Sequence, residues 1–166
     1  MLDGIETLPA KRPKFLSTLL IATVIAGTLD IATALLFWGL KGVPPGRILQ
    51  GIASGLLGRP AFDGGGSTAA LGLALHFCMM AVMVGAYFWA SRRAGYLIRR
   101  PLLWGAIYGV ALLGLMNYVV VPLSAFPGTP VFNPVWFLCD LGSHVFFVGI
   151  PIALYARRAL ATVPQD

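Results

Sequence analysis

Asp140 and His144 stand four residues apart inside an apolar run, Pro134 to Leu154, so a helix there stacks a carboxyl and an imidazole on one face. Such a pair can exchange a proton near neutral pH, hold a metal ion, or act as acid and base. Three other apolar runs each bring one strongly polar residue of their own: Asp30, His76 and Asn117. A carboxylate facing lipid is expensive to keep ionised, and a neighbouring imidazole is its natural partner, so these side chains are expected to turn inward and to meet.

Several chemistries fit that set. A proton or ion relay is the leading one, because intramembrane carboxyls and imidazoles are its usual components. A site of two His and two Asp would also bind a metal, although no local spacing such as HExxH is present. Haem ligation by His76 and His144 is a third reading, and leaves the cofactor open. Against all of these stands a purely structural role, in which the five residues hydrogen-bond the helices together in a protein that only holds a partner. The chain has no GxSxG, no phosphate loop and no dinucleotide fingerprint, and nothing selects an intramembrane enzyme using the Asp/His pair as acid and base. Gly64-Gly65-Gly66 follows no strand and precedes no Gly-Lys-Ser/Thr, so it is a turn. The soft patch of Cys78, Met79, Met80 and Met83 near His76 is packing rather than a copper path, since consecutive methionines face different directions. Cys78 and Cys139 fall at different depths, ~17 and ~8 Å below the outer surface by helical rise, and are expected as unpaired small hydrophobes.

What must position these groups is a membrane bundle. At 58% hydrophobic and 11% charged residues, the 166-residue chain is too apolar for a soluble surface. Four runs of the ~20 apolar residues needed to cross ~30 Å of hydrocarbon span about 15–40, 67–90, 101–121 and 134–154. The first is too long for the core of a cleavable signal and reads as a retained span. The chain is expected to be all-α, a single membrane domain over 1–166 built as a four-helix bundle.

The net charge of +6 does not indicate nucleic acid, because the basic residues cluster at the ends of the apolar runs. Nine of the twelve lie on one side: Lys11, Arg12, Lys14, Arg92, Arg93, Arg99, Arg100, Arg157 and Arg158. Lys41, Arg47 and Arg59 lie on the other, so both termini are expected in the cytoplasm. With that orientation Asp30, His76 and His144 fall ~15 Å below the outer surface, and Asn117 and Asp140 at ~6–9 Å. Residues 1 to 14, with Asp3 and Glu6, read as a short tail held near anionic lipid by its basic patch.

Between the first two runs, Ile48, Leu49, Ile52, Ala53, Leu56 and Leu57 follow a helical period too short to span, with Arg47, Gln50 and Ser54 toward the opposite side. An amphipathic helix at the outer interface, or folded back as a cap, is expected there. Ser67 or Thr68 would cap the second span. Ala22, Ala26 and Asp30, and the pair Gly105 and Gly109, form small-residue faces for close helix approach, either within the bundle or in a homo-oligomer. The uncharged connection Pro122 to Asn133 reads as a semi-rigid loop, and Pro151 frees the carbonyl of Phe147 and kinks the last span.

Taken together, Ile25-Ala26-Gly27, His76, the Gly-rich third span leading into Pro122-Leu123, the Asp140/His144 pair and the basic stop at Arg157 and Arg158 give a pattern that resembles the small bacterial inner-membrane proteins of the YagU type. The resemblance implies a four-span fold in the bacterial inner (plasma) membrane; the composition and the placement of the basic residues give the lipid bilayer as partner and no nucleic acid. The resemblance brings no active-site residues.

Overall fold

The computed structural model describes residues 15–128 and 132–160, and all regular structure in them is helical. The acidic and basic residues of the tail, Asp3, Glu6, Lys11, Arg12 and Lys14, therefore lie outside the described residues, as does Pro130. Four helices are long and apolar enough to cross a membrane: α1 (Phe15–Gly39), α3 (Gly65–Arg93), α4 (Pro101–Leu123) and α5 (Pro134–Leu160). A shorter helix, α2 (Pro45–Leu57), follows the first span. Proline opens α2, α4 and α5 at a position whose N–H has no intrahelical partner, so nothing is lost there. Large side chains such as Leu16, Leu20, Val24, Val82, Leu102, Val110, Leu138 and Phe146 point outward all around the bundle. A soluble protein would not expose them, and lipid covers them at no cost.

The core occupies one half of the bundle. Ala22 and Ala26 of α1, Val84 and Phe88 of α3, Leu112 of α4 and Val148, Ile152, Ala153 and Ala156 of α5 are buried there together. The Ala22/Ala26 face is filled by these neighbours. Gly105 and Gly109 are filled from α5 in the same way: a methyl group added at Gly105 would come within 2.7 Å of the Ile150 Cα, and one at Gly109 would overlap the His144 carbonyl. Both small-residue faces are thus used by helices of the same chain. Tyr108 donates to the Met83 carbonyl at 2.8 Å, tying α4 to α3.

Helix α2 departs from its expected polarity. Gln50 and Ser54 are buried against α3 rather than turned to water, and Leu56 and Leu57 are exposed. Gln50 donates to the Gly65 carbonyl at 2.9 Å, and Gly72 lets the backbone of α2 at Leu49 lie directly on α3. The inversion has a simple cause, since beside lipid the polar face of a helix is the one that needs a protein partner. Gly58, at a φ of 67°, ends α2 with its N–H on the Ser54 carbonyl. The connection after α4 is docked on α2 through the Ala125 N–H and the Gly55 carbonyl, 2.8 Å apart. Ser67 and Thr68 do not cap α3; their hydroxyls donate backward to the carbonyls of Gly64 and Gly65.

Two spans are interrupted by π-helical segments, Met116–Val120 in α4 and Ser143–Gly149 in α5. Each ends two residues before a proline, Pro122 and Pro151. At each end the N–H after the segment reaches back five residues, from Val121 to Met116 and from Ile150 to Val145. The missing proline N–H, which would leave a sharp kink in an α-helix, is absorbed in a widened turn.

Candidate functional site

The half of the bundle away from the core holds a cavity of about 220 Å³, and Asp30, His76, Asn117, Asp140 and His144 all line it. Each comes from a different place in the fold. Asp30 descends from the small-residue stripe of α1, His76 from the centre of α3, Asn117 from the π segment of α4, and Asp140 with His144 from α5. Ile52 of α2 and Met79, Met80, Met83 and Met116 supply the apolar wall. Met79 and Met80 both face the cavity, contrary to the divergence expected of consecutive residues, because their neighbouring directions on the helix both border it. Asn133 caps α5 by accepting the Trp136 N–H at 3.0 Å, and Trp136 packs on Phe37 and Trp38 at the same end.

Within this ring three groups are in direct reach. His144 Nδ1 lies 3.1 Å from Asp140 Oδ1 and 3.9 Å from Asp30 Oδ1, and 3.0 Å from the backbone carbonyl of Asp140. The three donor atoms of Asp30, Asp140 and His144 fall within 4.8 Å of one another, close enough to share a proton or a small cation. Ser143 Oγ donates to Asp30 Oδ1 at 3.0 Å and lies 3.3 Å from Thr33 Oγ1, whose own proton goes to the Leu29 carbonyl, so one hydroxyl of α5 holds the carboxylate of α1. Sequence reasoning passed over Ser143 and Thr33. Their only signal was position, since Ser143 adjoins His144 and Thr33 stands three residues after Asp30 on one helical face.

Asp30, His76 and His144, expected at a common depth, all line the cavity, but His76 bonds elsewhere. His76 Nε2 is 2.9 Å from the Gly27 carbonyl, 49 residues away in sequence, and takes its partner from the backbone of α1 rather than from a carboxylate. It faces the cluster across the cavity. Asp140 lies beside His144, as their spacing of one helical turn leads one to expect. Asn117 likewise spends its amide on the Leu113 carbonyl, at 3.0 Å. Cys78 and Cys139 are free, as expected, and exposed on the bundle surface.

The arrangement decides between the cofactors considered above. Each imidazole has one ring nitrogen engaged, which leaves the other for a ligand, but about 220 Å³ falls short of the roughly 300–1,000 Å³ of ordinary small-molecule sites and leaves a haem no room between His76 and His144. A small cation fits the Asp30, Asp140 and His144 atoms. Among the described residues no Lys or Arg lines the cavity, so the two carboxylates face only imidazoles: His144 beside them, and His76, which is bonded to the Gly27 carbonyl. Neither imidazole is a fixed positive charge, so an ionised carboxylate here is met by a proton on an imidazole or by a small cation.

Comparisons with models of known protein families, with curated proteins and with solved structures returned no match.

Proposed function

We propose that the chain is a small polytopic membrane protein that takes up and releases protons or small cations at Asp30, Asp140 and His144. The observation that carries this reading is the cluster in the cavity: atoms of two carboxylates and one imidazole within 4.8 Å of one another, with His76 as a further imidazole and, among the described residues, no Lys or Arg in the wall. A group held for structural reasons alone would be better served by a fixed ion pair, or by none. Nine basic residues against three favour the orientation with both termini in the cytoplasm, which opens the polar half of the bundle toward the outside and sets α2 near the outer interface. The resemblance to YagU-type proteins favours the bacterial inner membrane.

The test is flux. Purified protein in liposomes holding a pH-sensitive dye, under an imposed potential, should acidify or alkalinise the lumen faster than empty liposomes. Asp30→Asn and Asp140→Asn should each abolish the difference while the helical circular dichroism stays unchanged. Flux that persists in both variants, or wild-type flux equal to that of empty liposomes across protons and monovalent and divalent cations, refutes the proposal.

A further inference from the structure

A second cavity, of about 480 Å³, lies beside the polar one, between α2, α3 and α4. Ile52, Met79, Met116, Asn117 and Val121 line both, so a single layer of side chains separates them. The second cavity is a groove because α2 carries glycine where it faces the opening. A methyl group added at Gly51 would meet nothing within 4 Å, and one at Gly55 would touch only Ser124, at 3.7 Å. The rest of its wall is Ile48, Leu56, Leu75, Val120 and Phe126. Leu56, 61% exposed, stands at its outer margin and places the mouth against lipid rather than water.

Polarity therefore changes along one path. The lipid-facing groove is apolar and lined in part by methionines, which adapt to the shape of a flexible chain. Asn117 stands at the divide; its amide donates to Leu113, and among the described residues its carbonyl oxygen has no partner. Beyond it lie two carboxylates and the imidazoles of His144 and His76, the latter bonded to the Gly27 carbonyl, and among the described residues no Lys or Arg lines either cavity. A ligand matched to this path has an apolar tail and a positively charged, hydrogen-bond-donating head. A fatty-acid or phosphate head would meet like charge.

We infer that the groove seats the tail of a single-chain amphiphile whose ammonium head reaches Asp30 and Asp140. This rests on the reading of the cluster as a cation acceptor, and adds that one of its cations arrives from the membrane, attached to a chain. The groove volume lies within the range of small-molecule sites, and Met79 and Met116 are the side chains that must turn aside to admit the head.

Photolabelling of the full chain in phosphatidylcholine nanodiscs tests this with two probes that share one diazirine-bearing hexadecyl tail, a primary amine and a carboxylate. The amine should label peptides spanning 48–56 and 116–126, in preference to the acid by about tenfold or more, the effect of one or two charge-assisted hydrogen bonds. In Asp30→Asn/Asp140→Asn the preference should fall below about twofold, with tail labelling retained. Gly51→Phe should block both probes by filling the groove. Equal labelling by amine and acid in the wild type, which needs no variant to fold, overturns the inference and leaves a crevice filled by any lipid. So does an amine preference that survives loss of both carboxyls. The labelling uses no gradient, so amine selectivity without flux in liposomes sinks the transport reading alone, and flux without amine selectivity sinks this inference alone.

Discussion

Double-mutant cycles across the cavity separate the pairs that touch from those that only share it. At an effective dielectric of ~20, unit charges at the 3.1 Å of Asp140–His144 and the 3.9 Å of Asp30–His144 attract by about 5 and about 4 kcal/mol. Desolvation removes most of that, and measured couplings between polar side chains in membrane bundles average ~0.6 kcal/mol with a ceiling of ~1.7. The shorter contact has hydrogen-bond geometry and the longer does not. Asp140→Asn/His144→Ala should therefore couple by about 1–1.5 kcal/mol, and Asp30→Asn/His144→Ala by about 0.5–1. Asp30→Asn/His76→Ala should be additive within about 0.3–0.5 kcal/mol, because His76 bonds the Gly27 carbonyl instead. The assay is reversible unfolding in mixed micelles, read by tryptophan fluorescence. Additive Asp140/His144 losses, or an Asp30/His76 coupling larger than that of Asp30/His144, would show that the imidazoles have exchanged roles and would defeat the geometry described here.

Further tests address the scaffold. Gly109→Ala should cost about 1–3 kcal/mol in the same unfolding assay, because its methyl meets the His144 backbone, whereas Gly114→Ala, with open space, should be neutral or gain up to about 1; equal effects would mean that α4 and α5 are not so close. Ser91 is buried and, among the described residues, its hydroxyl has no partner, so Ser91→Ala should be neutral or stabilise by about 1 kcal/mol, and a clear loss would reveal a further hydrogen bond. For orientation, a thiol reagent added outside should modify Phe126→Cys and spare Gly95→Cys in a background with Cys78 and Cys139 replaced; the opposite pattern would invert the bundle.

The spans were legible because hydrocarbon thickness demands a long apolar run, and α1, α3, α4 and α5 begin or end within a few residues of the expected limits except where α5 runs on to Leu160 past its basic pair. The five polar residues stood out for the converse reason, as isolated polar groups in apolar sequence. Three features were hidden. The partner of His76 is a backbone carbonyl, which every residue carries, so composition could not point to Gly27. The buried face of α2 was hidden because an interfacial helix sends its polar side to water, whereas here Gln50 and Ser54 are covered by protein. The π segments leave no mark in hydropathy, and Pro122 and Pro151 signalled a disturbance without saying that the turn would widen rather than break.

The π segment of α5 makes residue count a determinant of the site. His144, Val148, Ile152 and Ala156 are all buried at a spacing of four, which in a regular helix drifts by roughly 40° at each step. The widened turns take up that drift, and so hold the Asp140–His144 pair inward while the lower half of the same helix faces the core. Removing one lipid-facing residue such as Phe146 would restore a regular ladder with the two halves still in register, whereas removing both Phe146 and Phe147 would exceed what the widened turn holds and swing the upper part of α5 by ~100° against the lower. No side chain of the cluster would be altered, yet the coupling between Asp30 and His144 should vanish. In any lineage of such chains, selection would act on the number of residues separating Asp140 from Pro151 more strictly than on which apolar residues fill the interval.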